Sequence, residues 1–139
     1  MSKRVMEPHR IAVAVVLIPR VFYAETQVSM SFRDLILNTG YCCSAEHVSV
    51  ELLANALRVR PKNVEDWLAW SDNKRTDSGW FFRHRLTGGF EVGYLPATED
   101  RPTFHYTKTE VFRACAKFIK YEIDDVCGGY ENQGSTAGN

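Results

Sequence analysis

Residues 71–123 constrain the fold more than any other part of the chain. Within them Gly79-W-F-F-R-H-R alternates, with Trp80, Phe82 and His84 on one side and Phe81, Arg83 and Arg85 on the other. A period of two belongs to a strand. Thr87-Gly88-Gly89 then offers a tight turn, because glycine accepts the positive φ that hairpins need. Phe90, Val92 and Tyr94 repeat the alternation against Glu91 and Gly93, and after an acidic-polar loop over 96–102 a short third strand carries Phe104 and Tyr106. Thr107-Lys108-Thr109-Glu110 is a capping box, in which Glu110 reaches back to the helix start. The helix behind it aligns Val111, Phe112, Cys115, Phe118, Ile119 and Ile123, while Arg113, Lys117 and Lys120 are expected to face water. That stripe is core rather than a cofactor site. A three-stranded antiparallel meander covered by one amphipathic helix is the smallest unit here that buries both its faces.

The segment before it is helical. Ser31 can cap a helix carrying Phe32, Leu35 and Ile36, which Gly40 ends. A loop is expected over 41–47. Ser49 can cap a second helix bearing Leu52, Leu53, Ala56 and Leu57, and Pro61 opens a third with Val64, Trp67 and Leu68 inward. Ala54, Leu57, Val59, Val64 and Trp67 fall where a helix-turn-helix wants packing. Glu65 and Asp66 on the second helix would oppose a phosphate backbone, so the pair reads as core helices. The fold class is therefore α+β: N-terminal helices, including a helix-turn-helix-like pair, packed with the meander and a C-terminal amphipathic helix.

The chain of 139 residues suits one domain. It is assigned to 30–127, with 1–29 as an N-terminal extension and 128–139 as a Gly-rich disordered tail. The apolar run at 11–18 is too short to span a bilayer. Basic residues before it and Ala24 after it outline a secretory signal, but Glu7, Pro19, Arg20 and Phe22 interrupt that pattern. The plainer expectations are a β-rich segment on the sheet or an extension outside the domain. Met30, opening M-S-F-R-D-L-I-L, would be a natural start.

The 17 basic and 17 acidic residues cancel, which argues against a dedicated nucleic-acid binder. Four of the basic and two of the acidic residues precede Met30, so the remainder carries 13 and 15. Cys42, Cys43, Cys115 and Cys127 lack regular spacing and are read as reduced thiols of a cytoplasmic protein. A zinc site from Cys42, Cys43 and His47 would lack the usual Cys-x-x-Cys pair. His84 and His105 sit on strands without a carboxylate or nucleophile evident in the sequence. No cofactor, metal, membrane partner or catalytic residue is expected.

Four motifs, Trp67-L-A-W-S-D-N-K-R, Ser78-G-W-F-F, Gly88-G-F-E-V-G-Y and Glu110-V-F-R-A-C-A-K-F-I-K-Y-E-I, resemble a type of small bacterial immunity protein. These neutralise the toxic domains of contact-dependent-inhibition and related polymorphic toxins. The likeness covers roughly residues 30–125 and implies a stoichiometric inhibitor, not an enzyme, that binds a cognate toxin domain, often a nuclease. The candidate contacts are Glu65, Asp66, Trp70, Asp72 and Asp77 around the second helix of the pair, with Glu99 and Asp100 in the strand loop. Their carboxylates would steer a basic partner and Trp70 would anchor it. The competing readings are a DNA-binding helix-turn-helix regulator and a small α+β enzyme using His84 or His105.

Overall fold

The computed structural model describes residues 7–24, 30–73, 79–96 and 99–138. Pro8 opens α1 (Pro8–Val16), where its missing N–H costs nothing. A one-residue break leads into α2 (Ile18–Ala24). Ile11, Ala12, Val15, Val16 and Ile18 are all buried in the core. The run at 11–18 is thus helical and central, neither a sheet segment nor an extension beside the domain. A continuous apolar run has no period to separate strand from buried helix.

The caps fall where the sequence places them. Ser31 Oγ accepts from the Asp34 N–H at 3.0 Å and starts α3 (Phe32–Thr39), which Gly40 closes at φ 83°. The expected loop over 41–47 is instead a short α4 (Tyr41–Ser44) and a 3-10 turn (Ala45–His47). They wrap Tyr41, which is wholly buried. Ser49 Oγ accepts from the Leu52 N–H at 3.1 Å and starts α5 (Val50–Val59). A turn through Arg60 leads to α6 (Asn63–Asn73). This pair buries Leu53, Ala54, Leu57, Val64 and Trp67 as a core unit, but Val59, expected to pack, is 73% exposed.

The meander consists of β1 (Gly79–His84), β2 (Phe90–Leu95) and β3 (Phe104–Tyr106), in the order β1-β2-β3 and antiparallel throughout. The register sets Trp80 opposite Tyr94, Phe82 opposite Val92 and His84 opposite Phe90, as the alternation requires. The Thr107 N–H donates to Glu110 Oε1 at 2.8 Å at the start of the last helix, α7 (Val111–Gly138). That helix continues to Gly138, past the point where a disordered tail is expected. It is the central post: α5 and α6 pack against it on the helical side and β1 and β2 on the other. Trp80 stacks on Tyr121 at 4.2 Å and Phe82 on Phe118 at 5.9 Å.

Two glycines matter to the sheet. A Cβ on Gly93 would lie 2.8 Å from both the Phe81 ring and Thr103 Oγ1, so its absence lets Phe81 lie flat on the outer face. Gly89 has φ 82°, and a Cβ there would come within 2.3 Å of the Tyr106 carbonyl oxygen. Gly89→Ala is expected to cost about 2–3 kcal/mol through strain and backbone displacement. Gly88→Ala would meet only the Lys108 stem, at 3.7 Å, and should cost less. Denaturant titration of the two variants checks the order.

The Cys42 and Cys127 sulfurs are bonded, with Cα atoms 5.3 Å apart, which corrects the reading of four free thiols. Cys43 is free and exposed, and Cys115 is free and buried. The pairing takes Cys42 out of a zinc site at 42–47 and leaves it only Cys43 and His47. The bond ties α4 to α7 across 85 residues of chain. Lys120 beside it does not face water. Its Nζ donates to the carbonyls of Ala45 (2.6 Å) and Val48 (2.8 Å). Burial lowers its pKa, partly offset by Asp124. The Tyr41 hydroxyl donates to Asp124 Oδ1 at 2.6 Å, and burial together with that carboxylate drives its pKa far up.

Candidate interaction surface

A groove forms where α6 packs beside β1. Ser71 Oγ, on the last turn of α6, accepts from the Phe82 N–H at 2.8 Å. Phe82 faces Val92 across the hairpin, so this N–H belongs to the outer edge of β1. The helix therefore lies along that edge. Between them runs a groove of about 460 Å³ with a floor of Leu68, Phe81, Phe82 and Leu95 and a rim that includes Asp72, Arg83 and His84. Leu95 is 40% exposed. An apolar floor within a charged rim is the anatomy of a protein-binding patch.

The candidate residues divide around this groove. Asp72 is exposed on its rim. Glu99 and Asp100 are exposed in the β2–β3 connection, which leaves the sheet at the end where β1 begins. Asp72 thus borders the groove, while Glu99 and Asp100 lie in the connection that follows Leu95 of its floor. Asp77 lies outside the described residues. Glu65 and Asp66 sit at the opposite end of α6, beside a separate cleft of about 570 Å³ shared with Arg20 and Lys62. Asp66 is committed there: its Oδ2 accepts from Arg20 Nε at 3.1 Å and from Asn63 Nδ2 at 2.8 Å. Glu65 is exposed.

Trp70 is not an exposed anchor. It stacks on Phe32 with centroids 3.7 Å apart, meets Phe22 edge-on at 5.8 Å, and donates from Nε1 to Glu122 Oε2 at 3.0 Å. It holds α2, α3 and α6 together. The groove-lining residues not expected from the sequence are Leu68, Phe81 and Leu95. The signal was available for Phe81, since the strand alternation puts it on the face away from the core helix.

That outer face also carries a charged row in register across three strands. Glu91 takes Arg83 Nε at 2.5 Å from β1 and lies 3.6 Å from His105 Nε2 on β3. His105 therefore does have a facing carboxylate, which only the β2–β3 register brings to it. Arg83 also covers Phe81, its guanidinium 4.3 Å from the ring centroid. His84 packs against Phe90 at 4.8 Å. Among the described residues no group of three or more His, Cys, Asp and Glu is placed to hold a metal ion, and no helix is long and apolar enough to cross a membrane.

No protein-family profile, curated protein or solved structure matches this chain.

Proposed function

We propose that this protein is a stoichiometric inhibitor of the immunity type, which binds a cognate toxin domain through the groove between α6 and β1. The observation that carries the reading is the groove itself: an apolar floor of Leu68, Phe81 and Leu95, with Asp72 on its rim and Glu99 and Asp100 exposed in the connection that follows Leu95. Apolar area supplies affinity, and nearby carboxylates steer a basic partner such as a nuclease domain. No bond is made or broken in this function, so it needs neither cofactor nor catalytic residue. Its place of action is the cytoplasm, where the toxin domain would act, and the fold must then hold with Cys42 and Cys127 reduced.

The test is co-expression with the C-terminal domain of the large protein encoded immediately upstream. Rescue of growth and a one-to-one complex are the expected results. Within that complex, Asp72→Ala with Glu99→Ala and Asp100→Ala should slow association about tenfold at low salt and flatten its salt dependence. Leu95→Asp should instead speed dissociation. Toxicity without rescue, or rescue indifferent to all four changes, would remove the groove from consideration.

A further inference from the structure

The hairpin-tip end of the meander gathers positive charge from Arg85 and Lys108. Gly88 and Gly89, both at positive φ, fold the hairpin tip back against β3, where only a glycine clears the Tyr106 carbonyl. This brings Arg85 on the β1 side to Lys108 at the foot of α7, and the two line both of two adjoining cavities. The first, of about 390 Å³, adds His105, Thr87 and Thr107. The second, of about 430 Å³, adds His84, Leu86, Phe90 and Val111.

Among the described residues neither Arg85 nor Lys108 has an ion pair or a side-chain hydrogen bond. The neighbouring carboxylates are already engaged. Glu91 is taken by Arg83 and faces His105, and Glu110 accepts from the Thr107 N–H and hydroxyl. Neither lines the cavities. Two cations held side by side repel each other unless an anion joins them. An arginine fork beside a lysine and the Thr87 hydroxyl suits the tetrahedral oxygens of a phosphate. Leu86, fully exposed, and the Phe90 edge beside it offer the apolar contact that a ring attached to that phosphate would seek.

We propose that this hairpin end binds a small phosphorylated ligand of nucleoside-monophosphate type, with the phosphate between Arg85 and Lys108 and the ring against Phe90 and Leu86. The site is distinct from the α6–β1 groove and does not depend on the inhibitor reading.

Amide NMR of the full chain, titrated separately with inorganic phosphate, adenosine monophosphate and adenosine, tests it. Phosphate and the monophosphate should saturably shift the amides of Arg85, Gly88, Gly89 and Lys108, the monophosphate more tightly, and adenosine should bind weakest. Arg85→Ala and Lys108→Ala should each weaken monophosphate binding about tenfold or more. Both side chains are at the surface, and an unchanged spectrum elsewhere certifies the fold. Arg60→Ala, in the turn between α5 and α6, should change nothing. Absence of shifts, or equal weakening by Arg60→Ala, overturns the proposal. So does a single-stranded oligonucleotide that binds far more tightly and shifts the α5–α6 turn, which would make the surface a nucleic-acid track.

Discussion

Trp67→Ala is expected to cost about 4 kcal/mol of folding stability, the largest effect of any single truncation here. The indole is wholly buried. It meets Phe32 edge-on at 5.9 Å and Phe118 at 6.0 Å, so it joins α3, α6 and α7. Its Nε1 also donates to the Val16 carbonyl at 3.0 Å, the end of α1. Truncation would open a cavity and orphan that carbonyl together. Trp67→Phe separates the two effects, because it keeps much of the volume and removes only the donor, at about 1–2 kcal/mol. Urea titrations of both variants decide the matter. A loss below about 1 kcal/mol for the alanine variant would mean that the N-terminal helices do not dock on α6 as described.

Opening the Cys42–Cys127 bond is the second large effect. The loop it closes spans 85 residues, and in the chain-entropy account a crosslink of that span disfavours the unfolded state by about 4–5 kcal/mol. Melts with and without a reductant should differ by up to that amount, and the Cys42→Ala, Cys127→Ala double variant should match the reduced protein. Small domains have roughly 5–15 kcal/mol in total. The inhibitor reading therefore expects a reduced protein that is folded but much closer to its unfolding threshold. A reduced chain already unfolded at growth temperature would place its working form in an oxidising compartment. Identical melts would mean that the bond adds nothing the packing around Tyr41 does not already supply.

Local signals were legible and distant ones were not. The strand alternation, the Ser31 and Ser49 caps, the Gly40 stop and the reach of Glu110 to Thr107 each depend on residues within a few positions of one another. The helix at 11–18 was not legible, because eight consecutive apolar residues carry no period. Nor was Lys120, which sits at the polar side of its helix by spacing yet donates to carbonyls more than 70 positions earlier. The same holds for the disulfide. In the candidate site, Asp72, Glu99 and Asp100 could be named as surface carboxylates. That Asp72 borders an apolar groove needed the course of α6 along β1. Trp70 was misplaced because helical spacing gives its angle around α6 but not the presence of Phe22 and Phe32 against it. The pairing of His105 with Glu91 needed a register that turn chemistry alone does not set.

The hydroxyl of Ser71 has a consequence beyond the groove it borders. An unpaired strand edge is a template on which another chain can add its own strand. Along β1 that edge is shielded by a helix, and the Phe82 amide is already taken by Ser71. On the far side β3 offers only three residues. Among the described residues the sheet thus offers an added strand a helix-covered edge on one side and a three-residue edge on the other. On the inhibitor reading a partner meets the same two edges, so its side chains, more than an added strand, would carry recognition.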